Sequence, residues 1–148
     1  MEKRSYNPPT AIEGRLNKLF GLLVRLGLAL PHNYLLVVRG RKTGKAYSTP
    51  VDVLDLRGRR FLVAGRGATQ WVRNVLASGE VTLRKGLHAK SLAAVSVPDD
   101  EKPEILKAYL ERFRLTVSRY FPVPPGSPAE AFRPLAPRYP VFELKRKS

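Results

Sequence analysis

Arg39-Gly40-Arg41-Lys42-Thr43-Gly44-Lys45 packs four cations, two glycines and a threonine hydroxyl into seven residues. It follows the apolar run Tyr34 to Val38 and precedes a second β-like run near Ser48. Glycines let a backbone approach an anion closely, and successive N–H groups in such turns form an anion-binding concavity. Arginine adds a bidentate fork and lysine a point charge. The segment therefore reads as a loop that holds a phosphate or carboxylate, with a solvated basic hairpin loop as the plainer alternative. It is not a phosphate loop of the G-x-x-x-x-G-K-[ST] type, because only three residues separate Gly40 from Gly44 and Ala46 follows Lys45. Nucleoside triphosphate hydrolysis is not expected. No G-x-G-x-x-G opens a helix, which disfavours a dinucleotide fold.

A second glycine loop, Gly65-Arg66-Gly67-Ala68, runs into Gln70-Trp71-Val72-Arg73-Asn74, which reads as a helix start. Trp71 is placed to stack on an aromatic ring or to pack in the core. Arg73, Asn74 and the helix N-terminus would face an anion, although Arg73 also suits a solvated helix face. Nothing else looks self-sufficient for catalysis. His32 and His88 share no metal-ligand spacing, and no metal site is expected. No serine sits in G-x-S-x-G. Asp52 and Asp55 are three apart on a strand and should face opposite sides. The catalytic residues stay unassigned. Anion-binding loops without acid–base machinery point to a cofactor that brings its own reactivity.

Those loops need a scaffold. Thr10 and Glu13 fit a capping box, and Ile12, Leu16, Leu19, Phe20, Leu23 and Leu26 recur at helical spacing. Strands are expected over Tyr34–Arg39, Tyr47–Leu56, Arg60–Ala64, Glu80–Lys85, His88–Val97 and Tyr139–Lys145. Pro50 should lie at an edge or bulge, and Arg57-Gly58-Arg59 should turn a hairpin. Gln70 to Ala77 reads as a short helix closed by Gly79. A long helix should start at Asp99 or Asp100 and run to about Arg119, with Pro103 in its first turn. Pro122 to Pro137 reads as a proline-rich connection. The order is α+β: about six mostly antiparallel strands in a small barrel, with helices at its edges.

At 148 residues the chain is expected to be one domain, with residues 1–33 as an N-terminal arm and helix. Cysteine is absent, which removes disulfides and thiol chemistry. Met1 to Thr10 is polar, so no signal peptide is expected, and a cytoplasmic location is the expectation. The formal charge of +15 calls for an anionic partner. From Arg39 to Lys90 twelve Lys or Arg stand against Asp52, Asp55 and Glu80, so the positive field centres on the central strands and their loops.

Gly40-Arg41-Lys42-Thr43-Gly44 with Thr49-Pro50-Val51, the loop Gly65-Arg66-Gly67, and Trp71-Val72-Arg73-Asn74-Val75 resemble the deazaflavin-dependent nitroreductase family. Ala136-Pro137-Arg138-Tyr139-Pro140-Val141-Phe142 resembles that family's last strand. The resemblance implies a split β-barrel that binds coenzyme F420 and passes a hydride from its reduced form to an acceptor. It implies that Arg41, Lys42, Thr43 and Gly44 contact the phosphate or acidic tail, and that Thr49, Pro50 and Val51 run beside the ring. Gly65, Arg66 and Gly67 would touch ring or linker, with Trp71 and Asn74 completing the wall and Arg73 adding charge. Two positions depart from the pattern: Tyr47 stands where many relatives carry Arg, and Gln70 where several carry proline. Tyr120, Phe121 and Tyr139 are candidates to line the acceptor pocket, or are simply packed.

The function expected is oxidoreduction of an electron-poor small molecule: a quinone, a nitro compound or an activated alkene. FMN is the alternative cofactor, since related split barrels bind flavins. Two non-enzymatic readings remain beside it. Nucleic-acid binding is permitted by charge, but aromatics do not alternate with the cations as a stacking platform requires, so no specific nucleic-acid partner is expected. Peripheral contact with the inner membrane surface through the first helix is the other, since Arg4, Arg15, Lys18 and Arg25 flank its apolar face.

Overall fold

The computed structural model describes residues 31–147 together with Lys18. The amphipathic helix expected from Ile12 to Leu26, and the membrane contact expected of it, lie outside the described residues. One antiparallel sheet holds β1 (Asn33–Arg39), β2 (Ala46–Asp52), β3 (Leu54–Leu56), β4 (Arg59–Val63), β5 (Glu80–Lys85), β6 (His88–Ser96) and β7 (Val141–Arg146). Their order is β2-β1-β5-β6-β7-β4-β3.

The run Tyr47 to Leu56, expected as a single strand, is two strands at opposite ends of that order. β2 pairs with β1, β3 pairs with β4, and Val53 alone separates them. One linking residue forces the two edges of the sheet together, so the sheet curls into the split barrel. The Val53 N–H donates to the His32 carbonyl at 2.9 Å and pins the change of partner. This break makes seven strands of the expected six. Pro50 lies on the edge strand, opposite Leu35, where a missing N–H is tolerated.

Period-two burial sorts the strand residues onto two faces. Leu36, Val38, Leu62, Leu83, Leu92, Phe142 and Leu144 point into the barrel and pack with Val72 and Val75 of α1 (Gln70–Ser78). Phe61, Val63 and Val141 point outward and pack under α2 (Lys102–Arg112) and the 3₁₀ helix Ala129–Arg138. The outer layer brings Ile105, Leu106, Tyr109 and Leu110 onto them, with Phe132 and Leu135.

The long helix differs from expectation. A 3₁₀ turn spans Asp99–Glu101, α2 ends at Arg112, and a second piece, α3 (Arg114–Val117), runs into a 3₁₀ turn at Ser118–Tyr120. Phe113 leaves the helical region at φ −113° and ψ 31°. Its ring then packs 5.4 Å from Tyr109 and 4.8 Å from His32, so burial of a large ring is exchanged for helix continuity. Asp99 does not cap the helix with its side chain. Its carboxylate pairs with Lys102 Nζ at 2.7 Å, and the same ammonium donates to the Ala136 carbonyl at 3.1 Å. Lys102 is buried, and this bridge ties the helix to the segment expected to be only a proline-rich connection.

Candidate functional site

Hydrogen bonds inside the β1–β2 loop shape it before any ligand is considered. Gly40 N–H donates to the Lys45 carbonyl at 2.7 Å, and Gly44 N–H to the Gly40 carbonyl at 2.9 Å. Arg39 Nη1 donates to the Gly44 carbonyl, and Thr43 Oγ1 accepts from the Lys45 N–H at 3.2 Å. The hydroxyl of Thr43 therefore organises the loop. Lys42 and Lys45 are exposed. A β-carbon on Gly40 would lie 2.6 Å from Tyr47 Cε2, so the half-buried Tyr47 ring occupies the space that only glycine leaves open. Tyr47, placed where a basic residue was expected, thus serves as the floor of the loop.

Arg41 joins this loop to α1. Its N–H donates to Asn74 Oδ1 at 3.0 Å, and its Nη1 donates to Asn74 Oδ1 at 2.8 Å and to Gln70 Oε1 at 2.9 Å. Asn74 is 2% exposed, so its amide is a structural bridge between the β1–β2 loop and α1. Gln70, the second departure from the family pattern, has a partner here that proline could not supply. The first glycine loop is thus joined to α1, the helix that follows the second, with Arg41 and Asn74 acting as the clasp. Arg66 and Arg73 are exposed beside them. Thr69 caps α1 by position, is 7% exposed, and its Oγ1 finds no partner among the described residues.

Gly67 has φ +82°, and its Cα faces the Arg138 carbonyl, 3.7 Å from where a β-carbon would stand. Gly65 faces Tyr120 Cδ2 at 3.5 Å and the Tyr109 hydroxyl at 3.9 Å from the same position. The second loop is therefore seated on Tyr120 and on the approach to β7. Tyr120 is half-buried, and its hydroxyl accepts from Arg119 Nη2 at 2.9 Å. Phe121 and Tyr139 stack at 4.5 Å within the outer core, 8% and 2% exposed. The Tyr139 hydroxyl donates to the Tyr120 carbonyl at 2.5 Å. Of the three aromatics expected near an acceptor, Tyr120 has its ring at the loop, and the other two hold it there. Trp71 is half-buried, 6.1 Å from Phe142, and packs against the inner core. Thr49, Pro50 and Val51 are half-buried along β2.

Sequence reasoning missed a polar cluster where β2 changes partner. Asp52 Oδ1 accepts from Asn33 Nδ2 at 2.5 Å and lies 3.5 Å from His32 Nε2. Burial raises the Asp52 pKa, against the lowering effect of His32 and of the Asn33 hydrogen bond. The nearby Tyr109 phenol is pushed far above its ordinary range, by burial first and then by the charges of Asp52 and Tyr120. Lys85 donates to the Asn33 carbonyl at 2.7 Å and sits 5.0 Å from the Tyr34 ring centre. The only signal available in the chain was the adjacency of His32 and Asn33 at a strand start; their partner lies nineteen positions on.

Residues 19–120 match the family described as F420H(2)-dependent quinone reductase. The chain belongs to that family. The reductase is a deazaflavin-dependent oxidoreductase, and F420 is its cofactor. An F420-H2 dependent reductase, FDR-A, shares its fold with a TM-score of 0.52 and 19% identity, over 78% of this chain and 95% of that one. A structure described as a domain-swapped dimer superposes with a TM-score of 0.58 and 17% identity, over 90% and 96%. HutZ, a heme storage protein from Vibrio cholerae, does so at 0.56 and 11%, over 94% and 92%. No curated protein matches the sequence. The barrel alone thus does not choose a ligand. The chemistry of the residues suits an acidic coenzyme: Lys42, Lys45, Arg66 and Arg73 are exposed on the segments that flank the Arg41–Asn74 clasp, and Thr49, Pro50 and Val51 are half-buried along β2.

Proposed function

We propose that the reductase oxidises reduced F420 with a quinone as acceptor. The family description favours a quinone over a nitro compound or an activated alkene. The observation that supports the reading is the set of Arg41 hydrogen bonds to Gln70 and Asn74, which ties the cationic β1–β2 loop to the helix that follows the second glycine loop. In this proposal Lys42, Lys45, Arg66 and Arg73 hold the phosphodiester and acidic tail, with Thr43 and Gly44 beside them. Arg41 and Asn74 contribute by fixing the loops, and Tyr47 by supporting Gly40. Thr49, Pro50 and Val51 lie along the ring, Gly65 and Gly67 let the backbone come close to it, and Trp71 closes the inner side.

When bound, the reduced deazaflavin supplies the hydride. The chain supplies orientation and exclusion of water. A quinone that accepts a hydride also takes up a proton. Tyr120 is the group we assign to face it: Arg119 donates to its oxygen, which leaves the phenolic hydrogen free to point away from the guanidinium. We place this activity in the cytoplasm, as expected from the sequence. The test is the loss of F420H2 absorbance with a panel of benzoquinones, naphthoquinones, nitroimidazoles and cyclic enones. Turnover fastest with a quinone supports the reading. Turnover confined to nitro compounds or enones changes the acceptor, and protein that saturates with FMN but not F420 removes the proposal.

A further inference from the structure

Two leucines stand almost wholly in solvent: Leu87 is 100% exposed and Leu115 is 97% exposed. Neither position calls for an apolar side chain. Leu87 is the second residue of the two-residue turn between β5 and β6, after Gly86 at φ +60°. A turn with glycine first and φ > 0 there alone is the II′ type, which is indifferent to, or polar at, its second site. Leu115 lies on α3, whose Val117 supplies the core contact. An isolated exposed leucine is ordinary, but two in matching surroundings at one end of a molecule are not.

A chain of contacts joins their positions. Lys85, two residues before Leu87, donates to the Asn33 carbonyl. The neighbouring His32 ring lies 4.8 Å from Phe113, two residues before Leu115. The hairpin tip and the α2–α3 corner are therefore at the same end of the barrel. Both segments are basic and free of acids: Arg84, Lys85, His88 and Lys90 on one, Arg112, Arg114 and Arg119 on the other. Arg84, Lys90, Arg112, Arg114 and Arg119 are exposed, and none makes an ion pair among the described residues. Residues His88 to Ser91 are exposed and run beyond the β7 pairing, which starts at Leu92. The tip thus projects from the sheet.

We infer that Leu87 and Leu115, with the surrounding arginines and lysines, form a docking surface for an anionic lipid bilayer. Exposed leucines enter the interface between headgroups and acyl chains, and cations beside them meet the negative headgroups.

The experiment is sedimentation of the full chain with vesicles of equal phosphatidylglycerol and phosphatidylcholine, and with vesicles of phosphatidylcholine alone. Binding is expected to the anionic vesicles, to be weakened by salt, and to fall on the order of tenfold in Leu87→Glu and in Leu115→Glu. Leu76→Glu, on the exposed side of α1, is expected to bind like wild type. Thermal melts and F420 titrations of the same preparations show that the variants are folded and that the coenzyme site is unaffected. Three results would overturn the inference: no preference for anionic vesicles, binding indifferent to both leucines, or leucine variants that abolish self-association and leave lipid binding intact.

Discussion

Asn74→Ala tests whether the two loops are held by one side chain. Asn74 Oδ1 accepts the Arg41 N–H and Arg41 Nη1, so truncation removes one neutral and one charge-assisted hydrogen bond. A neutral bond contributes about 0.5–1.5 kcal/mol and one to a charged group about 1.5–3, which gives roughly 2–4.5 kcal/mol for the pair. Gln70 still accepts from Arg41, so the lower half of that range is the better expectation. The loss can surface in two ways. If the loop stays docked, urea melts shift by about 2 kcal/mol at unchanged slope. If the loop detaches locally, global stability is retained and F420 binding weakens by up to about thirtyfold, the same energy read as an affinity. Asn74→Asp keeps the acceptor oxygen and is expected to restore most of the effect. Wild-type stability together with wild-type affinity in Asn74→Ala would refute the clasp.

Gly40→Ala sets a β-carbon 2.6 Å from the Tyr47 ring and is expected to cost about 1–3 kcal/mol in thermal melts. Combined with Tyr47→Ala it should cost less than the sum of the two, which a double-mutant cycle measures. Gly67→Ala forces a side chain onto φ +82° beside the Arg138 carbonyl, and a loss on the order of 1–2 kcal/mol is expected in the same melts. Asp52 has a raised folded pKa, so the stability it contributes is fully present below the unfolded carboxyl value of about 3.9 and declines as pH rises through the folded one. The stability of wild type relative to Asp52→Asn should therefore fall with rising pH in urea melts; a rise would invert the assignment. Glu143 is held low by the paired Arg59 hydrogen bonds at 2.8 and 3.0 Å, which has the opposite sign. Its stabilisation is present above the unfolded carboxyl value and disappears as pH falls through the folded one, and Glu143→Gln should lose that acid sensitivity.

The barrel was legible because its strands carry period-two burial and its hairpins carry glycine turns. Arg57 and Gly58, both at positive φ, close the turn that their types announced. The break at Val53 was only partly legible: the alternation slips where Val53 and Leu54 stand side by side, but nothing local records that the two halves pair with different strands. The break at Phe113 was hidden for a similar reason: helical spacing continues through it, and His32, the ring that rewards the kink, lies eighty-one positions earlier. In the site, the cations and glycines could be read from the chain as anion-binding material. The division of labour among them could not. Arg41 read as a ligand contact, and its bridging to a buried amide on another element left no mark in the chain. Phe121 and Tyr139 looked like pocket walls, yet the 3₁₀ helix that buries them came from a segment whose prolines read only as a connection.

The most direct measurement is a fluorescence titration of F420 with the wild-type reductase and with Lys42→Ala and Arg66→Ala, one cation from each loop. Saturable micromolar binding that weakens on the order of tenfold in either variant, and that falls more steeply as salt is raised in wild type than in the variants, is the predicted result. Affinity that is indifferent to both substitutions, or an absence of saturation in wild type, would contradict the two-loop cradle.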